Sequence, residues 1–377
     1  MTLHFPLKTI SFIAVASVLL TMASCKKDNK SNINNNNNNN NNNGPATPKQ
    51  IGLYEADSAI YKELAIAVSK IGTLTVDYGL VYDTGSGGMV IDAHGIIPSS
   101  MITSGGFNFT GDSTVVDGIT ITSQVDTIQY GDDANTTEKV YGNLAYAPVI
   151  IGDQGSTVTI KRLPFFLYYK ALDNHGKLVS PHEFDVMGVS PQYDIVFRNG
   201  VYITSPFSYY EPGAGLTKGF KMAALGTNNF TLQPNFVPNV VTLGLTQSDI
   251  SSAGFTLSPL TYISGNGYVP LQSGTIDYNG KHIAAEFIFD TGTEPYNYIE
   301  DRSASTTITL LPNSTPVAVT TSAGFKYDFT TTPNDYLTYV ENPSVSKTTI
   351  SVMSLEFFLN NEYMIDFADN KLGLKNQ

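Results

Sequence analysis

The feature that most constrains this chain is a short apolar run that ends on Asp-Thr-Gly and occurs twice. The first copy covers residues 80–86 (LVYDTGS) and the second covers residues 287–293 (FIFDTGT). Each copy predicts a buried strand that stops at a carboxylate, followed by small residues that can turn sharply. A single Asp-Thr-Gly is an ordinary turn. Two copies in matched settings predict two related halves that each contribute one aspartate.

The first 24 residues are typical of a secretory signal peptide. Residues 10–22 form an apolar run that is too short to span a bilayer and has the length of a signal-peptide core. Small residues precede Cys25, the only cysteine, as in a bacterial lipoprotein signal, where this cysteine carries the lipid. We therefore predict a protein that is lipid-anchored in the bacterial cell envelope, at the outer membrane, on its periplasmic or surface face. An ordinary cleaved signal peptide is the alternative.

Residues 25–50 are predicted to be a disordered tether, because the asparagine tract at 34–43 and the Gly-Pro segment after it cannot bury apolar surface. The tether is either a spacer that holds the folded part away from the membrane or a repeat expansion without a role. The whole chain carries 33 acidic and 21 basic residues, which argues against a nucleic-acid partner. If Cys25 carries lipid, no thiol is left for a disulfide, so stability must come from an apolar core.

The remainder of the chain predicts short β-strands separated by turn signals, without a long helical period, which favours an all-β class. Alternation at Leu64, Ile66 and Val68 indicates a strand, although a short helix also fits there. A two-residue hairpin is predicted at 278–281 (YNGK). We place an N-terminal lobe at 51–215 and a C-terminal lobe at 216–377. The other predicted strands are 73–82, 115–121, 127–130, 140–151, 157–167, 240–243 and 283–289.

In this order, the segments resemble the pepsin-like, two-lobed aspartic proteases over residues 61–374. Residues 82–86 (YDTGS) resemble the first catalytic loop of that family, and residues 290–293 (DTGT) resemble the second. The other matching segments are 127–132 (TIQYGD, the flap), 185–189 (DVMGV, the close crossing beside the first loop) and 352–374 (the C-terminal signature). The resemblance implies an all-β bilobal fold with two barrel-like lobes and the active site in the cleft between them.

The resemblance also implies that Asp83 and Asp290 are catalytic, because two adjacent carboxylates hold one proton between them. One takes a proton from the attacking water and the other stabilises the oxyanion. Tyr130 and Gly131 are implied to close over an extended peptide substrate. We expect a monomer with no cofactor, and the histidines show no metal-ligand spacing. The residues implied to support the catalytic pair are Thr84, Gly85, Ser86, Thr291, Gly292 and Thr293.

Three positions depart from the family pattern. Val90 stands where the family often carries tryptophan, Ser354 replaces the glycine of the second close crossing, and Glu294 is expected to place a third carboxylate near the pair. The leading hypothesis is an active aspartic endopeptidase tethered to a bacterial membrane. The alternative is a catalytically weak or inactive lipoprotein that binds a peptide or glycan on the same scaffold. A β-rich glycan-binding lipoprotein unrelated to proteases would leave the duplication unexplained.

Overall fold

The computed structural model describes residues 46–57, 62–130, 138–226 and 229–377. The predicted signal peptide, Cys25 and most of the predicted tether lie outside these ranges, as does Gly131. The first strand begins at Lys49, so the last two residues assigned to the tether belong to the folded part instead. No helix within the described ranges is long and apolar enough to cross a membrane.

Strands dominate the first half of the described chain, with 3₁₀ turns at Ser99–Met101 and Pro206–Tyr209. The strands are β1 (Lys49–Asp57), β2 (Lys62–Ile71), β3 (Leu74–Asp83), β4 (Gly87–Asp92), β5 (Ile102–Thr103), β6 (Gly106–Phe107), β7 (Ser113–Val116), β8 (Ile119–Tyr130), β9 (Glu138–Asp153), β10 (Ser156–Leu172), β11 (Val186–Val189), β12 (Ile195–Val196) and β13 (Tyr202–Ile203).

The second half also consists mainly of strands, with short helices α1 (Gln247–Ser251) and α2 (Pro343–Ser346) and a 3₁₀ helix at Leu355–Leu359. The strands are β14 (Thr217–Met222), β15 (Asn235–Leu245), β16 (Thr256–Pro259), β17 (Thr261–Ile263), β18 (Gly267–Val269), β19 (Gln272–Tyr278), β20 (Lys281–Phe289), β21 (Tyr296–Glu300), β22 (Thr309–Leu310), β23 (Pro316–Thr321), β24 (Lys326–Thr330), β25 (Leu337–Glu341), β26 (Ile350–Met353), β27 (Asn361–Asp366) and β28 (Lys371–Asn376).

Six strands of the first half close into a barrel in the order β2, β3, β11, β4, β10 and β9, with β9 pairing back onto β2. Leu64, Ile66 and Val68 on β2 are fully buried in its core. Their alternation is therefore that of a strand with one face in the core, and the short-helix alternative is wrong.

The second half forms an eight-stranded half-barrel in the order β22, β25, β21, β26, β20, β19, β23 and β24. Phe289, at the end of β20, packs against Phe357 with ring centroids 4.0 Å apart. Strands β14, β15, β27, β28 and β16 instead extend the first sheet through the pairing of β1 with β15. This shared sheet connects the halves, and the predicted all-β bilobal architecture is confirmed.

Two turns test the strand predictions. The predicted hairpin at 278–281 is confirmed, because β19 and β20 are joined by Asn279 and Gly280, both at positive φ. The single strand expected over 115–121 is wrong. Asp117 and Gly118 adopt positive φ values of 48° and 76° and form a turn between β7 and β8. Strand β8 then continues from Ile119 to Tyr130.

Candidate active site

Each Asp-Thr-Gly loop emerges from the end of a buried strand. Strand β3 ends at Asp83, and β20 ends one residue before Asp290. A second strand runs parallel to each of them, β11 beside β3 and β26 beside β20. The two loops therefore have equivalent surroundings, as the duplicated sequence pattern predicts.

The carboxyl groups of Asp83 and Asp290 meet at the floor of the cleft and share a hydrogen bond. Their residues are only 1% and 4% exposed. Each carboxyl also lies against the glycine of the opposite loop: a Cβ atom on Gly85 would lie 2.4 Å from the Asp290 carboxyl carbon, and one on Gly292 would lie 2.9 Å from that of Asp83. Both glycines are therefore required by close approach.

Hydrogen bonds from within each loop orient the two carboxyls. The backbone N–H groups of Gly85 and Ser86 donate to Asp83 Oδ1 at 2.6 and 3.1 Å, and the Ser86 hydroxyl donates to Oδ2. In the second loop, the Gly292 N–H donates to Asp290 Oδ1 at 2.8 Å and the Thr293 hydroxyl to Oδ2 at 2.6 Å. The six predicted support residues thus contact the pair or, in the case of Thr84 and Thr291, connect the loops.

Burial and the neighbouring charge of Asp290 raise the pKa of Asp83 well above its usual range, and the hydrogen bond between the two carboxyls acts in the same direction. Donation from Ser86 and Gly85 opposes this increase without cancelling it. Two carboxyls in contact resist a second ionisation, so the proton on Asp83 is retained at pH values where an isolated aspartate is ionised.

The cleft above the pair has a cavity volume of about 380 Å³. Its walls come from the first Asp-Thr-Gly loop, strand β8, the segment after β11, and strands β20 and β26 of the second half. Residues from both halves therefore line one continuous groove, which is the arrangement that an extended chain needs for binding.

Tyr130 lines this cleft at the end of β8, opposite Glu138 on β9. The residue is 8% exposed, and its ring stacks on that of Phe184 with centroids 5.6 Å apart. Burial and the charge of Asp83 raise its pKa. The predicted flap is thus a hairpin whose two strands are described, whereas Gly131 lies outside the described residues. Val90, the first of the three departures expected from the resemblance, lines the same cleft.

The segments that pass close to the two Asp-Thr-Gly loops differ, as the sequence indicated: one carries Gly188 and the other carries Ser354. A Cβ atom on Gly188 would lie 2.7 Å from the Ser86 backbone, so glycine is needed there. Ser354, on the second side, is completely buried and donates its N–H to Asn297 Oδ1 at 2.8 Å. The second loop still keeps its contact with β26, because the Asp290 N–H donates to the Met353 carbonyl at 2.8 Å.

The expected position of Glu294 beside Asp83 and Asp290 is wrong. Burial raises the pKa of its carboxyl well above the usual range, and the charges that act on it belong to Glu356, Lys62 and Asp335. Glu294 therefore belongs to a separate acidic group around Lys62. Its position one residue after the loop did not reveal the side-chain direction, because the chain turns there into β21.

Sequence reasoning missed two polar residues that support the first loop. Gln192 Nε2 donates to the Gly85 carbonyl at 2.9 Å and to Asp194 Oδ1 at 2.9 Å. Asp194 Oδ2 accepts a hydrogen bond from the Gly87 N–H. The only sequence signal was a short polar segment directly after the 185–189 crossing. Within the described ranges, no group of three or more histidine, cysteine, aspartate or glutamate side chains could hold a metal ion.

Comparison with solved structures identifies the fold. The crystal structure of an aspartic proteinase from Irpex lacteus matches with a TM-score of 0.55 and 16% identity, over 88% of this chain and 98% of that one. The crystal structure of Basic 7S globulin from soybean matches with a TM-score of 0.56 and 11% identity, over 88% of this chain and 96% of that one. No family model matches the sequence, and no curated protein matches it either.

These identities are low enough that the likeness concerns the fold alone. One of the two similar proteins is named a proteinase and the other a globulin, so the shared architecture does not decide activity. What the comparison adds to the geometry is the assignment of the architecture: the chain has the bilobal, all-β fold of the pepsin-like aspartic proteinases.

Proposed function

We propose that the protein is an aspartic endopeptidase that hydrolyses peptide bonds in an extended peptide bound in the cleft. The observation that carries this proposal is the hydrogen-bonded contact between the buried carboxyls of Asp83 and Asp290, each delivered by an equivalent loop. A dyad that holds one proton supplies a base and an acid at the same place.

In the proposed mechanism, a water molecule lies between the pair and the substrate carbonyl carbon. The ionised carboxylate takes a proton from the water as its oxygen attacks that carbon. The protonated carboxyl donates a hydrogen bond to the carbonyl oxygen as negative charge develops there. Proton transfer to the leaving amine then breaks the C–N bond, and the pair regains its single shared proton. No covalent intermediate with the protein is formed.

The surrounding loops keep this chemistry in position. Ser86 and Thr293 each donate a hydroxyl hydrogen bond to one oxygen of an aspartate, so each carboxyl is oriented before the substrate arrives. Tyr130 lies beside the pair on the flap strand and would exclude water from a bound peptide. The neutral donors around the pair hold the carboxyls without neutralising them.

The test is to replace Asp83 and Asp290 by asparagine, one at a time. Either change removes the shared proton while preserving shape, so we expect peptide cleavage to fall by at least about 10²-fold with the circular dichroism spectrum unchanged. Asp117→Asn is the matched control, because Asp117 is exposed in a turn at φ 48°, which asparagine tolerates. Cleavage that survives both active-site changes would rule out the mechanism.

Binding without cleavage is the second candidate function. It is favoured by the globulin with the same fold and by Val90 at the position where the protease family often carries tryptophan. Pepstatin, the general inhibitor of that family, separates the candidates. Thermal stabilisation by pepstatin together with cleavage supports the endopeptidase. Stabilisation without cleavage of any member of a peptide library supports the binding protein.

We further propose that the N-terminal segment anchors the protein by a lipid on Cys25, because small residues precede this single cysteine after an apolar run. Cys25→Ser should move the protein from the membrane fraction to the soluble fraction of a bacterial host. Loss of a labelled fatty acid from the protein band should accompany the move. A variant that stays in the membrane fraction would contradict the lipid attachment.

A further inference from the structure

Asp194 is a carboxylate in the cleft that the proposed mechanism does not use. It lies five residues after β11, and its side chain is exposed on the cleft wall. Both of its oxygens are held by donors from the protein, Oδ2 by the Gly87 N–H and Oδ1 by Gln192 Nε2. Because both donors are neutral, they fix the direction of the carboxylate without cancelling its charge.

The segment that carries Asp194 is fixed from both halves of the molecule. Gln192 is 1% exposed and donates to the Gly85 carbonyl of the first catalytic loop. The Tyr193 N–H donates to the Asn266 carbonyl of the second half at 2.7 Å. Asp194 is therefore a preorganised charge beside the proposed reaction centre, and little side-chain entropy is lost when a ligand contacts it.

The charges of the cleft all have one sign. Its charged lining side chains are Asp126 on β8, Asp194 and the catalytic Asp290, and the described residues that line it include no lysine, arginine or histidine. A cleft lined by charges of one sign concentrates ligands of the opposite sign. The catalytic pair must keep its own protonation for the proposed chemistry, which leaves Asp194 and Asp126 as the carboxylates available for binding.

Asp194 is ionised in the neutral pH range. Although the residue is exposed at the cleft, its carboxyl oxygens lie against the Gly87 backbone and Gln192. This partial loss of solvation raises the pKa of Asp194 to about 6, although the hydrogen bonds from Gly87 and Gln192 act in the opposite direction. Above this pH the carboxylate carries a full charge, and each oxygen retains a lone pair for a further donor. Below it, the group becomes neutral.

We propose that Asp194 is a specificity-determining residue that selects peptides with a lysine or arginine side chain close to the scissile bond. The inference rests on the proposed function, because it names the substrate class of the same cleft. A lysine ammonium or an arginine guanidinium in the cleft would donate a charge-assisted hydrogen bond to the fixed carboxylate. The same contact is unavailable to an uncharged side chain of similar length.

The experiment compares octapeptide libraries that are identical except at one position, which is fixed as lysine or as norleucine. For the wild-type protein at neutral pH, we expect kcat/KM to be roughly fivefold to tenfold higher for lysine at one position of the cleft. In Asp194→Asn this ratio should fall to about one, mainly through a higher KM for the lysine peptide. In the wild type, the ratio should also fall as the pH is lowered through about 6.

The same measurement distinguishes selection from support of the catalytic loop. If Asp194 only positions Gly87, the asparagine variant loses kcat equally with both peptides and keeps their ratio, and the inference is overturned. A wild-type protein without a lysine preference at any position overturns it as well. Asp117→Asn, outside the cleft, should leave the ratio unchanged.

Binding measurements separate this inference from the proposed function. Two variants are titrated with fluorescently labelled lysine and norleucine peptides. One carries Asp290→Asn alone, and the other carries Asp290→Asn together with Asp194→Asn. Suppose that the wild type cleaves no peptide, and that lysine peptides bind several-fold tighter than norleucine peptides only while Asp194 is present. The protease proposal then fails and the inference stands. Equal binding of both peptides to Asp290→Asn overturns the inference, whatever the outcome for cleavage.

Discussion

The backbone N–H groups of Thr84 and Thr291 each donate to the hydroxyl oxygen of the other residue, both at 3.0 Å. Each hydroxyl in turn donates to a carbonyl of the opposite half, Thr84 to Phe289 at 2.9 Å and Thr291 to Tyr82 at 2.6 Å. Both threonines are buried, so this reciprocal set is shielded from water. It fixes the spacing of the two loops and hence the contact between Asp83 and Asp290.

Replacing Thr84 or Thr291 by valine should weaken both the fold and the activity. Valine preserves the shape but leaves a buried N–H and a buried carbonyl without partners, so the free energy of unfolding should fall by about 1–3 kcal/mol. Urea denaturation and peptide cleavage measure the two effects. Serine at either position is the control, because it keeps the hydroxyl. Valine variants as active and stable as serine variants would show that the hydroxyls do not connect the loops.

Gly85→Ala should abolish activity in a protein that still folds. Its Cβ atom would lie 2.4 Å from the Asp290 carboxyl carbon, so the two carboxyls would be pushed out of contact. Gly188→Ala should act less directly, through the Ser86 backbone 2.7 Å away. Gly105→Ala is the matched control, since a Cβ atom at that position would meet nothing within 4 Å. Full activity of Gly85→Ala would contradict the described contact between the loops.

Ser354→Ala should stabilise the protein slightly. The Ser354 hydroxyl is buried and has no hydrogen-bond partner among the described residues. Its removal should raise the free energy of unfolding by up to about 1 kcal/mol. Ser351→Ala, on the adjoining strand β26, should instead destabilise the protein, because the Ser351 oxygen accepts the Glu300 N–H at 3.0 Å. An equal loss of free energy of unfolding in the two variants would indicate that the Ser354 hydroxyl has a hydrogen-bond partner.

Glu356→Gln should remove part of the pH dependence of stability. Burial raises the pKa of Glu356 to about 7, despite Lys62 Nζ at 3.7 Å. Between the unfolded value of about 4.5 and about 7, the folded state holds a proton that the unfolded state has lost. The free energy of unfolding therefore falls as pH rises through this window, by roughly 1–3 kcal/mol for this group.

Glutamine at position 356 cannot ionise and can still accept the Tyr336 N–H, so the variant should gain stability relative to wild type at neutral pH and not at acidic pH. Urea titrations at the two ends of the window measure this difference. In the variant, the free energy of unfolding should still fall with rising pH, but less steeply, because burial also raises the pKa of Glu294. Glu211→Gln, at an exposed ion pair with Lys218, is the control. Parallel pH profiles for wild type and Glu356→Gln would refute the assignment.

Local sequence was sufficient for the features that depend on nearest neighbours along the chain. The apolar run before Asp83, the turn at Asn279 and Gly280, and the alternation of β2 each follow from side-chain periodicity and backbone conformation, and all three are confirmed. The break at Asp117 was missed because valine and isoleucine on both sides continue the strand pattern across the turn.

The pairing of the two aspartates was predictable as well, because a repeated motif in a duplicated fold brings its copies to equivalent places. The neighbours of each aspartate were not. Glu294 follows the second loop in sequence, yet its carboxyl belongs to the group around Lys62. Asp194 lies over one hundred positions from Gly87 and yet accepts its N–H. Side-chain direction and long-range contact depend on how strands close into a barrel, which no local pattern records. The order of residues thus determined the pairing of Asp83 with Asp290, and the packing of the two lobes decided which other charges share their cleft.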